Sequence, residues 1–236
     1  MTVEAPTTTG VDVPTAPGER PGAAHVLVRV WLPDRPGALG LVASRIGSVG
    51  GDIVGIDVLE RGADVAVDEF AVELGTLDVI ELLVREVEEV DGASVEEVRI
   101  VGAFPDPRLD ALESATALCR ADSVGELHGA LVVLTRREFL ADWAALLEGD
   151  GLSVADGDGC PATEMLFALA AGTAASPLVA DGTTGPDDLA VAILESHDAT
   201  LLVGREGRPF RRRERVQLRA LTRIADRAWT LLGGAG

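Results

Sequence analysis

The sequence predicts an α+β protein of two small domains in tandem. Three observations carry this reading. The length, 236 residues, exceeds the usual domain size of about 100–150 residues. Between residues 24 and 102, strand-like and helix-like patterns alternate in the order βαββαβ. After a short Pro-containing linker at 103–107 (AFPDP), a differently ordered mixture of helices and strands fills residues 108–236. The composition, 47% hydrophobic and 25% charged, is that of a globular chain and excludes a wholly disordered or collagen-like one. Aromatics make up only 3%, so aliphatic side chains must supply the core volume.

Residues 1–23 are rich in Pro, Thr, Gly and Ala without periodicity, which predicts a disordered tail. Residues 25–32 (HVLVRVWL) read as a strand that stops at Pro33, and Asp34-Arg35-Pro36-Gly37 reads as a turn. A helix over 38–49 follows, with Leu39, Val42, Ala43, Ile46 and Val49 at three- and four-residue steps and Gly50-Gly51 as its stop. Strands at 53–60 and 65–74 flank a Gly-containing loop that suits a hairpin. A second helix at 78–90 buries Ile80, Leu83, Val84 and Val87, and a last strand spans 94–101. This order on so few residues is the ferredoxin-like arrangement, one antiparallel sheet with two helices on one face.

The turn after the first strand has the chemistry of an amino-acid site. Gly37 allows close approach of a ligand, and the N–H groups of Ala38, Leu39 and Gly40 at the helix start suit a carboxylate. Asp34 and Asp52, at the two ends of the helix connection, suit an ammonium group. A purely structural role, with Asp34 capping its turn and Gly37 merely permitting it, stands beside that reading. The string Leu32-Pro33-Asp34-Arg35-Pro36-Gly37-Ala38-Leu39, an amphipathic helix and then Gly50-Gly51-Asp52-Ile53 resembles the ACT domain family over about residues 25–102, within an expected domain of residues 24–102. The resemblance implies a ligand at a seam between two such domains, held by the turn of one (Asp34, Gly37, Ala38, Leu39, with Asp52) and the second strand of the other, residues 53–57, beginning with Ile53 and Val54. Serine-binding members of the family carry a His and two Asn where this chain has Leu32, Asp34 and Asp52. That difference favours a more cationic or more apolar amino acid. A seam of this kind also implies a homodimer.

In the second half, helices are expected at 107–120, with Leu109, Leu112, Ala115 and Leu118 on one side, at 162–175, and from Arg211 to about Leu232. Segments 128–135 and 142–148 read as two strands or a strand and a helix, 152–155 as a short edge strand, 178–180 as a further short piece, and 189–194 with 200–204 as a strand pair. The closing pattern, Ala199-Thr200-Leu201-Leu202-Val203-Gly204 before Arg208-Pro209-Phe210 and an amphipathic helix, resembles a reduced GAF domain, which implies a sensory fold around a central antiparallel sheet. On the last helix Phe210, Leu218, Leu221, Ile224, Ala225, Ala228 and Leu232 share one face. Arg211, Arg215, Arg219, Arg223 and Arg227 share the opposite one. That basic face reads either as a solvated surface, partly paired with Asp106, Asp110 and Glu113, or as a docking face for an acidic protein partner.

The formal charge of −19 repels phosphate backbones and anionic lipids, so neither nucleic acid nor membrane is expected as a partner. All 20 basic residues are Arg, Lys and Asn being absent, which points to a G+C-rich bacterial source. The first residues lack a basic start and an apolar stretch, no long apolar run occurs, and Cys119 and Cys160 show no disulfide or metal spacing; a cytoplasmic protein without metal is expected. The set Cys160, His197 and Asp198 is the most reactive-looking combination, although His197-Asp198 suits a hairpin turn and Cys160-Pro161 a helix start. No nucleotide-binding or hydrolase motif occurs, so no cofactor and no catalytic residue are expected. Two functions remain: a non-enzymatic amino-acid sensor acting on a protein partner, and an enzyme regulated by its N-terminal module.

Overall fold

The computed structural model describes residues 23–62, 64–175 and 185–234. The expected tail up to residue 22 and the piece at 178–180 lie outside the described residues.

The first half runs β1 (Ala24–Pro33), α1 (Ala38–Ser48), β2 (Asp52–Arg61), β3 (Val65–Leu74), a 3-10 turn (Leu77–Val79) leading into α2 (Ile80–Glu88), and β4 (Ser94–Val101). All pairings are antiparallel, in the order β2-β3-β1-β4. Strand alternation sends Val26, Val28, Val30, Phe70 and Val72 to one face, where they pack against Val42 and Ile46 of α1 and Leu83 and Val87 of α2. Leu39, expected on the buried side of α1, is instead 39% exposed, because Ala38, Val42 and Ile46 fill the groove.

The second half runs α3 (Pro107–Cys119), α4 (Val124–Glu138), β5 (Trp143–Glu148), β6 (Gly151–Gly157), α5 (Thr163–Ala175), β7 (Leu189–Leu194), β8 (Ala199–Gly204) and α6 (Arg212–Gly233). Its four strands form a second antiparallel sheet, β6-β5-β8-β7. One face packs on Leu118, Leu127, Leu131, Leu218, Ala225 and Trp229 from α3, α4 and α6; the other packs on Leu166 of α5.

Two sequence expectations change here. Segment 128–135, open to a strand reading, is helical. Ser123 caps α4 by accepting from the Glu126 N–H, while the Glu126 carboxylate accepts from the Asp122 N–H, and Leu127, Leu131 and Thr135 bury one stripe. In α3 the side with Leu109 and Leu112 is exposed, and Ser114 and Leu118 face inward. Among the described residues, no helix is long and apolar enough to cross a membrane.

The arginines on α6 also differ from expectation. Arg211 and Arg215 are buried. Arg215 donates to the carbonyls of Leu189 (2.8 Å) and Pro186 (2.5 Å). Arg211 stacks over Trp31 and pairs with Glu96 and, at 3.5 Å, Glu60. Arg213 reaches Asp57 at 2.6 Å, and Arg208 reaches Glu97 at 3.0 Å. The first turn of α6 and the loop before it therefore dock on the sheet face of the first half that the helices leave bare. Among the described residues no ion pair joins the acids of α3 to these arginines; Asp106 caps its own helix, accepting from the N–H groups of Arg108 and Leu109. Arg219, Arg223 and Arg227 remain exposed.

Candidate functional site

The turn between β1 and α1 is closed by short backbone bonds. The Arg35 N–H donates to the Pro33 carbonyl (2.8 Å), the Ala38 N–H to the Arg35 carbonyl (3.2 Å), and the Asp34 N–H reaches across to the Asp64 carbonyl (2.9 Å). Gly37 has φ +90 and heads the helix, and a Cβ there would meet nothing within 4 Å. The left-handed backbone explains the glycine, and the open space leaves room for a ligand. The Ala38 N–H, expected to meet a carboxylate, is already used within the turn.

Asp34 is held by Arg61, whose Nη2 and Nε donate to its two oxygens at 2.5 and 3.2 Å. This fork joins the turn to the end of β2. Asp52 stands elsewhere. The register places it opposite Glu73, which in turn faces His25 near the start of β1, whereas Asp34 follows Pro33 at the far end. At about 3.3 Å per residue the two acids are roughly 30 Å apart in one chain. Of the second-strand residues, Ile53 packs toward the core of its own half and Val54 is 53% exposed.

The acid that does feel the Asp34 charge is Asp68. It lies in β3 opposite Val30 and Val58, on the helix-facing side with Phe70, and is 4% exposed. Its Oδ1 has no hydrogen-bond partner among the described residues. Burial pushes its carboxyl above the ordinary range; the Arg61 charge opposes this and the Asp34 charge adds to it. A raised folded pKa stabilises the fold below the unfolded pKa and loses that contribution as pH rises through the folded value. Asp68→Asn should therefore abolish a loss of stability on going upward through the acid range, as read by melting temperature against pH; an unchanged profile would place the titration elsewhere.

The thiol–imidazole pair is not assembled. Cys160 packs with Leu166 on the α5 side of the second sheet, and burial pushes its thiol up. His197 lies on the other side, stacked on Trp229 at 3.9 Å and 2.9 Å from Asp226. Asp198 uses its carbonyl to accept from the Gly149 N–H, as a turn residue does. His128, in a T-shaped contact with the same Trp229 ring at 4.1 Å, has both Ser153 (3.0 Å) and Glu148 (3.9 Å) at the same Nδ1 nitrogen. A nucleophile relay needs them on opposite nitrogens. Among the described residues no cluster of His, Cys, Asp or Glu could hold a metal ion.

No protein-family model and no curated protein matches the sequence. Among solved structures, the chain is similar to the ACT domain from GTP pyrophosphokinase of Chlorobium tepidum at 13% identity, covering 36% of this chain and 93% of that one with a TM-score of 0.29. It is also similar to an unknown protein from Galdieria sulphuraria at 13% identity, covering 89% of this chain and 94% of that one with a TM-score of 0.32. Likenesses of this size carry no argument about function, which must come from the residues.

Proposed function

We propose that the protein is a regulatory sensor of a small amino acid, bound at the turn of a ferredoxin-like, ACT-type first half. The observation that carries the reading is a buried acid, Asp68, with an oxygen lacking a hydrogen-bond partner among the described residues, paired with Val30 three residues before β1 ends at the turn that Gly37 opens. An α-amino acid brings an ammonium for the first and a carboxylate for the second. The element order and the strand order β2-β3-β1-β4 support the ferredoxin-like part. The exposed stripe Leu39, Leu41, Val54 and Ile56 on α1 and the edge strand β2 supports a seam to a second copy. That copy's second strand would then bring its Asp52 and Val54 to the turn. Light scattering should give twice the 24.5 kDa of one chain; a monomer with and without ligand would remove the seam. The second half, a sheet with helices on both faces, relays the bound state in the manner of a GAF-like domain, and the exposed Arg219, Arg223 and Arg227 are its surface for an acidic protein partner.

Calorimetry with a panel of cationic and apolar amino acids tests the site. Gly37→Val is expected to abolish binding in a folded protein, because a β-branched side chain strains the turn and fills the space at the helix head. Native affinity in that variant would make the turn structural only.

A further inference from the structure

Where the bare sheet face of the first half meets the second half, a cavity of about 360 Å³ remains, within the usual size of small-molecule sites. Its wall combines residues far apart in the chain. Arg29 (β1) and Arg99 (β4) come from the sheet, Glu138 and Phe139 from the end of α4, and Arg208 from the loop before α6. We propose that this cavity is a second ligand site, for a small organic anion that carries a carboxylate or phosphate head and a hydrogen-bond donor.

The donors define the head. Arg29 is 2% exposed; its Nη2 and Nε donate to Glu69 at 3.0 and 3.3 Å, but its Nη1 has no hydrogen-bond partner among the described residues. Arg99 is in the same position at its Nε. Arg208 stands with them: burial lowers its pKa, and the charges of Arg29, Arg205 and Arg99 lower it further while Glu97 opposes them. Arg208 is itself paired with Glu97 (3.0 Å) and Glu69 (3.4 Å) and adds positive charge to the wall. Leaving the Arg29 and Arg99 donors buried and unmet is costly, and together they offer charge-assisted bonds to a carboxylate or phosphate. Of the carboxylates on the wall, Glu69 meets Arg29 and Arg208, Asp57 meets Arg213 and Glu214 meets Arg205, which leaves Asp110 and Glu138 for a ligand's donor end. The Oε2 of Glu138 is buried and likewise without a hydrogen-bond partner among the described residues, so it suits a hydroxyl or amine at the other end of the ligand. Leu59 and Phe139 give the space an apolar side, which favours an organic body over a bare ion.

The site does not depend on the amino-acid reading. It shares no residue with the turn, and occupancy would tie the two halves together through Arg29 and Arg208. Titration calorimetry of the full chain with inorganic phosphate, glycerol 3-phosphate, succinate and malate tests it. We expect saturable one-to-one binding of a phosphate or a carboxylate pair, and which pair binds identifies the head. Arg99→Gln, which removes no ion pair among the described residues, should weaken that binding about tenfold, as loss of a charge-assisted bond does. Gly37→Val should leave it unchanged. The hydroxyl-bearing member of the pair should bind more tightly, a preference that Glu138→Ala erases. Circular dichroism confirms that each variant is folded. No saturable binding of any probe, or native affinity in folded Arg99→Gln, would overturn the site; equal affinity for the two members of the pair would overturn the role of Glu138.

Discussion

Gly157→Ala is expected to destabilise the protein by about 3 kcal/mol, the sum of forcing an L-residue into a left-handed backbone and overpacking a closed contact. Gly157 ends β6 at φ +100, opposite Trp143. A Cβ there would collide with the Asp142 carbonyl oxygen, and would stand 2.6 Å from the Arg136 Cδ and 2.9 Å from the Trp143 Cα. Two of those three atoms are backbone and cannot turn aside. Gly159, two residues on, has φ +72 but nothing within 4 Å of its Cβ. Gly159→Ala should therefore cost only the conformational part, about 1 kcal/mol. Urea denaturation followed by circular dichroism separates the two; equal losses would show that the contact around Gly157 yields.

Arg205→Met should cost about 3–5 kcal/mol, the range for removing one partner of a buried, hydrogen-bonded charge pair. Arg205 is 3% exposed and uses its whole fork. Its Nε donates to the Arg208 carbonyl (2.7 Å), Nη1 to the Phe139 carbonyl (2.5 Å), and Nη2 to the Pro209 carbonyl (2.9 Å) and to Glu214 (2.8 Å). The guanidinium carbon lies 3.9 Å from the Phe210 ring centre. Burial pushes the Glu214 carboxyl up, but bonds from Arg205, its charge and the Arg211 N–H outweigh burial and hold the pKa below the ordinary range. A depressed folded pKa gives stability that is present above the unfolded pKa and lost as pH falls through the folded one. Without Arg205, burial dominates and the sign reverses, so the variant should lose stability as pH rises instead. Melting temperature from pH 3 to 8 reads this directly, on an order-of-magnitude scale set by the carboxylate range. A uniform loss at every pH would mean that Arg205 acts by packing alone. Arg205→Lys should not restore the native profile, because one ammonium cannot reach four acceptors in a plane.

The first half was legible because its cues agree. Valines alternate in β1, apolar residues recur at helical steps in α1 and α2, and glycines stand between them, so each boundary falls within about two residues of its expected place. In α4 the cues conflict. Leu131-Val132-Val133-Leu134 suits a buried strand as well as a helix, and only the Ser123 and Glu126 caps decide it. Sequence showed the turn at Gly37 because a left-handed position calls for glycine. It could not show Asp68, an acid in a strand of alternating residues, because its depth is set by the pairing with Val30 and Val58. Nor could it separate Asp52 from Asp34, since spacing along the chain says nothing about opposite ends of a sheet. The four-residue step of arginines on α6 was visible, yet the burial of Arg211 depends on Trp31 and Glu96, far away in the chain. The cavity around Arg29 was out of reach for the same reason.

The docking of α6 on the first half also bears on the order in which the protein can form during synthesis. The first half contains its own helix-covered core and can close while the rest is still being translated. Until α6 emerges, its other sheet face lies open to water. An apolar face would invite aggregation during that interval, whereas Arg29, Glu69, Glu97 and Arg99 keep it wetted. The charges that later meet Arg208, Arg211 and Arg213 thus act first as a temporary solvent-facing coat, and a nascent chain stopped before α6 should stay dispersed.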